Sequence, residues 1–244
     1  MVSPGVVAVL LAGLVGLVGL LSGCAHTGEA GRSVSNFDPK QIAKSDVDRV
    51  ADAHRQAVFD SIRVIAEKLY RRNPREWKKG NHVSVEAALD HLLDPRLGWR
   101  LPELADYTKR PPTDQILVAL REDYAGDRVA AFMAGLGAML NTAFENKTEF
   151  YMYDELDPQK LYNSARNIEI AMWKLANARD ASGALLLLSN EISTPPQIPN
   201  LSFEREFGKV IARMDLFAMV LAERSQRFIT RAVQNLATAL FLPF

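Results

Sequence analysis

Cysteine is almost absent from this chain: Cys24 is the only one among 244 residues. No intramolecular disulfide can form, so the fold must stand on packing alone. Neither sign of charge is in excess, with 29 basic and 29 acidic side chains. That balance removes the global electrostatic case for nucleic acid as a partner. Histidine is scarce at four residues, and neither an HExxH pair nor a second histidine at i+4 supplies a zinc-type ligand set. The sequence also lacks a GxSxG elbow, a GxGxxG loop and a GxxxxGK(S/T) phosphate loop. No segment alternates apolar and polar residues over a convincing strand length. These absences argue against the familiar hydrolase, dinucleotide and nucleotide chemistries, and they imply neither a cofactor nor a metal.

What is present begins with the N-terminus. Val6 to Leu21 are Val, Ala, Leu and Gly without one charge, and the run ends in Leu21-Ser22-Gly23-Cys24. An apolar run that closes on small residues reads as a secretory signal. It is glycine-rich and near the short limit of about 17 to 25 residues for a membrane span. The final tetrapeptide resembles the lipobox of bacterial lipoproteins. That resemblance implies a thiol alkylated by diacylglycerol, cleavage before Cys24 and acylation of the new amine. Met1 to Gly5 depart from the pattern in having no Lys or Arg. In Gram-negative lipoproteins an aspartate directly after the cysteine commonly retains the protein at the inner membrane. Ala25 occupies that place here, which implies the outer membrane, facing the periplasm.

Three regions follow: a signal peptide over 1–23, a lipidated cysteine and flexible tether over 24–43, and a helical domain over 44–244. The tether is small and polar, with Gly28, Gly31, Ser33, Ser35 and Asp38-Pro39. A flexible chain of about twenty residues has a root-mean-square span on the order of 25 Å.

In the domain, Ser45 is placed to cap a helix with Val47, Ala51, Val58, Ile62, Ile65 and Leu69 in one stripe, ending at Asn73-Pro74. A short helix is expected over Ser84 to Leu93, and a long one from about Thr113. The uncharged Val129–Leu140 half of that long helix reads as a central core element. After Asp157-Pro158 the stripe is Leu161, Ala165, Ile168, Met172 and Leu175, and Leu185 to Leu188 read as a short buried run. Proline at 195, 196 and 199 breaks the chain before a last helix capped by Ser202, with Phe203, Phe207, Val210, Met214, Phe217 and Leu221 facing one way. The expected fold is all-α, an irregular bundle of about five or six helices.

Candidate sites are few. Arg71, Arg72, Arg75, Lys78 and Lys79 surround Trp77; such a cluster suits an anionic lipid or envelope polymer, and equally a solvated helix end. His54 falls within the first stripe, as a core or edge residue or as a catalyst. Asn163, Arg166, Asn167 and Glu169, with Asp215 on the last helix, form either an interhelical network or the lining of a polar pocket that includes His54. His82, Glu86, Asp90 and His91 approach a ligand set, but adjacent residues diverge by about 100° on a helix, so no metal is expected.

Leu161-Tyr162-Asn163-Ser164-Ala165-Arg166-Asn167, Asn200-Leu201-Ser202-Phe203-Glu204-Arg205-Glu206-Phe207-Gly208-Lys209 and the ending Phe241-Leu242-Pro243-Phe244 are similar to motifs that recur in a group of proteobacterial lipoproteins. The resemblance covers most of the mature chain and brings no activity with it. The functional expectation is therefore a non-enzymatic binding or assembly module, membrane-bound through Cys24 and meeting an envelope protein. An envelope hydrolase or lipid-handling protein with a site between the helices is the alternative.

Overall fold

The structure, a computed structural model, describes residues 44–107, 109–151, 154–190, 200–232 and 234–244. The signal, Cys24, Ala25, the tether and the proline break at 195–199 lie outside the described residues.

Among the described residues, sequence periodicity becomes a bundle of seven α-helices: α1 Asp46–Arg72, α2 Pro74–Lys79, α3 Val85–Leu92, α4 Pro112–Ala119, α5 Arg128–Ala143, α6 Pro158–Asn177 and α7 Ser202–Ser225. A 3-10 turn spans Pro102–Leu104. Among the described residues strand pairing is limited to one bridge, Arg179 with Leu185. No described helix is long and apolar enough to cross a membrane.

A reciprocal capping box starts α1: Asp48 N donates to Ser45 Oγ at 3.3 Å, and Ser45 N donates to Asp48 Oδ2 at 2.7 Å. The predicted stripe of α1 is buried from Ala51 to Leu69. The α5 helix is the centre, with Asp127 to Gly137 buried without a break. Its glycines permit close approach. A β-carbon on Gly135 would lie 2.7 Å from the Pro112 carbonyl oxygen, and one on Gly137 would lie 2.1 Å from the Trp99 ring. The long α6 and α7 pack against each other, α7 lies along α1, and α4 lies on α5. The aromatic stripe of α7 closes the core, with Phe203, Phe207 and Phe217 among the largest fully buried side chains.

Three local expectations need correction. The single long helix from Thr113 is two helices, because Arg128 folds back on the end of α4. Its guanidinium donates to the carbonyls of Ala119 (2.8 Å), Arg121 (2.5 Å) and Glu122 (3.0 Å), satisfying acceptors a helix end leaves bare. Ser202 is the first residue of α7 and not its cap; Leu201 holds that place without a side-chain bond. Asn190 supplies the missing acceptor instead, its Oδ1 taking Phe203 N at 3.2 Å and Glu204 N at 3.3 Å. The run Leu185–Leu188 is not uniformly buried, since Leu187 is inside while Leu188 is 44 % exposed.

Candidate functional site

Polar residues on α6 separate into two sets with different partners. Gln159, Asn163 and Asn167 follow at i, i+4 and i+8, so they share one face. That face holds the C-terminal segment. Gln159 Nε2 donates to Thr230 O at 3.1 Å and its Oε1 accepts from Thr230 N at 2.7 Å. Asn163 Nδ2 donates to Pro243 O at 2.7 Å. Asn167 Nδ2 donates to Leu242 O at 2.8 Å while its Oδ1 accepts from Leu242 N at 2.6 Å. Asn167 is fully buried, so its amide acts as the hydrogen-bonding neighbour that an extended backbone would find in a sheet. The Leu161–Asn167 and Phe241–Phe244 motifs of the sequence thus meet each other.

The second set is charged. Arg166 Nη2 donates to Asp215 Oδ2 at 2.6 Å and lies 3.0 Å from Glu169 Oε1, and its guanidinium sits over the Tyr162 ring at 5.0 Å. Burial raises the carboxyl of Glu169 above its ordinary range, against the pull of Arg166. Arg166 Nε and Asp215 Oδ1 are buried with no hydrogen-bond partner among the described residues. Arg166, Asp215 and Tyr162 floor a cleft of about 460 Å³ whose walls are Met219 of α7 and the Arg227–Arg231 segment that follows it.

His54 is not part of this group. It stacks on Phe217 with centroids 5.0 Å apart and planes at 15°, and Phe217 points away from Asp215 because two residues along a helix turn through about 200°. Burial lowers its pKa, which favours the neutral ring.

The basic segment is divided between the end of α1 and the short α2. Arg71 is exposed and meets Glu67 at 2.8 Å and Glu86 at 3.5 Å. Lys79 meets Glu76 at 2.7 Å, and Lys78 lies over the Trp77 ring at 5.3 Å. Arg75 is exposed, while Arg72 and Trp77 are half-buried. Glu86 turns to Arg71, whereas His91 Nε2 lies 3.0 Å from Glu103. Among the described residues no group of three or more His, Cys, Asp or Glu is placed to hold a metal ion.

Sequence reasoning missed a buried network and a second cleft. Asp127 caps α5 through Ala130 N at 2.9 Å and accepts from Tyr70 Oη at 3.0 Å. Glu76 accepts from Arg128 N at 2.8 Å beside it. Burial pushes the Asp127 carboxyl up to about 6, the hydrogen bonds from Ala130 and Tyr70 opposing it. Only the Gly126-Asp127 pair before an apolar run signalled this cap. The second cleft, about 530 Å³, opens beside Arg55, Phe59, Arg63 and Trp99. Trp99 holds the left-handed conformation at φ 68°, and its ring stacks on Phe59 at 5.7 Å.

Comparison of the chain with protein-family models, with curated proteins and with solved structures finds no match.

Proposed function

We propose that this chain is an outer-membrane lipoprotein, anchored by lipid on Cys24 and facing the periplasm, whose helical domain is a non-enzymatic binding or assembly module. The observation that carries the reading is the uncharged Val6–Leu21 run ending in Leu21-Ser22-Gly23-Cys24. The domain's chemistry is in keeping with it. Several ionisable groups serve as caps and clamps: Asp127 and Glu76 at the start of α5, Arg128 at the α4 end, Arg166 on Asp215. Growth with a traceable fatty acid, followed by separation of the two membranes, tests both parts. Label is expected in the outer-membrane fraction for the wild type and absent from Cys24→Ala. Label persisting on the variant overturns the lipobox assignment; wild type found wholly with the inner membrane overturns the sorting.

One observation favours a lipid-handling role over a purely structural one. The cleft over Arg166 combines arginines with Met219, Phe228 and Ile229, a lining suited to a small amphiphile with an acidic head. A fluorescent fatty-acid analogue should bind it, and Met219→Trp, which fills the cleft from an exposed wall position, should weaken that binding at least ten-fold. Equal binding by both proteins removes this role.

A further inference from the structure

We infer that the Arg224–Arg231 segment, with Phe228 at its tip, docks the domain on the surface of an anionic bilayer. The inference rests on the anchoring proposed above. Three side-chain contacts fix the run of α7 against α1. Arg213 Nη1 donates to Ala57 O at 2.6 Å, and to Ser61 Oγ at 2.7 Å; His54 stacks on Phe217. Val47, Asp48 and Ala51 share a small cavity with Leu221 and Arg224. As α1 numbers fall, α7 numbers rise, so the helices are antiparallel. The C-terminal end of α7 therefore lies where the chain from Cys24 joins the domain.

That end carries an unusual surface. Phe228, three residues past the end of α7, is 97 % exposed and Met219 is 55 % exposed, whereas the phenylalanines of α7 itself are buried. Arg224, Arg227 and Arg231 flank Phe228 and are exposed; the segment itself holds no acidic residue, and Glu223 directly precedes it. Among the described residues Arg227 has a loose ion-pair partner, Glu155 at 3.7 Å, and both side chains are largely in solvent. Guanidinium groups around a protruding aromatic ring match a headgroup layer, where cations meet phosphates and the ring enters the acyl boundary. Met219 and Val220 extend the apolar surface along α7.

The basic cluster around Trp77 is the competing face. It sits at the other end of α1, whose 27 residues at about 1.5 Å each make about 40 Å. Lys44, through which an anchor at Cys24 joins the domain, is at the near end. Several cations of the far cluster also have partners within the protein: Arg71 with Glu67 and Glu86, Lys79 with Glu76.

Acylation of Cys24 leaves the mature chain without a free thiol, so one introduced cysteine reports one position. Phe228→Cys and Lys78→Cys are each labelled with a nitroxide in the lipidated protein and reconstituted in vesicles containing phosphatidylglycerol. Collision with oxygen against a water-soluble nickel chelate then reads depth. The label at 228 is expected in the headgroup and upper acyl region and the label at 78 in water. Replacing Arg224, Arg227 and Arg231 by Gln should weaken docking about five-fold per arginine at low salt, on the order of a hundred-fold together, returning the label at 228 to water. A label at 228 equally open to nickel in phosphatidylglycerol and phosphatidylcholine vesicles, or a label at 78 that is the buried one, overturns the docking. The mass of the Cys24 peptide is read on the same samples. If it lacks lipid, the anchoring fails separately, and the two labels in a Cys24→Ala chain added to the same vesicles still decide which face meets the bilayer.

Discussion

Side-chain amides do the work of strand partners in this protein. Asn73 donates to Leu188 O at 2.9 Å and accepts from Leu188 N at 2.7 Å; Gln159 treats Thr230 the same way, and Asn167 treats Leu242. Each fixes one residue of an irregular segment through both of its backbone groups. The need is general, since a buried N–H or C=O without a partner is costly. Asn167→Ala should therefore cost about 1–3 kcal/mol, because it strands the donor and the acceptor of the half-buried Leu242. Urea unfolding of wild type and variant measures it, and a change below about 0.5 kcal/mol would contradict the clamp. That Asn163 and Asn167 sit on a packed helix was legible from the apolar stripe around them. Their partner was not, because spacing along a helix gives the face a side chain shares and says nothing of a backbone segment some seventy residues on in sequence.

Local signals foretold the helices better than their ends. The stripes of α1 and α7 repeat at three and four residues, and every position named from them on α7 is buried. The break between α4 and α5 escaped notice because the residues that make it act at a distance: Arg128 reaches back to three carbonyls, and Glu76 comes from α2. Asn190, not Ser202, supplies the side-chain acceptor at the start of α7 for the same reason. Asp127 makes the α5 end sensitive to pH. Its carboxyl titrates at about 6 in the fold and near 3.9 unfolded, so the native state holds its proton more tightly. Stability from this group is complete below about pH 4 and is lost as pH rises through 6, by on the order of 2–3 kcal/mol. Asparagine also caps helices well. Asp127→Asn should thus gain on the wild type by that amount between pH 4 and pH 7 in urea titrations; a constant difference across the range would show that burial does not control this carboxyl.

Across the whole molecule, the candidate polar group divides by location. Arg166, Glu169 and Asp215 meet, Asn163 and Asn167 hold the C-terminal segment, and His54 stacks on the opposite side of α7. Fold class was legible because periods of 3.6 residues recur throughout the described chain, whereas convergence of side chains depends on how helices cross, which no single stripe encodes. The surface around Phe228 lies just beyond the end of α7 that packs near the start of α1, and the proposal that it meets the membrane rests on the anchoring. It depends on Cys24. Mass analysis of the N-terminal peptide from the protein purified out of its membrane tests that claim most directly. The account predicts a peptide beginning at Cys24 whose mass exceeds the bare sequence by a diacylglyceryl group and one amide-linked acyl chain. A peptide that begins upstream of Cys24, or one that begins at Cys24 with an unmodified thiol, would contradict it.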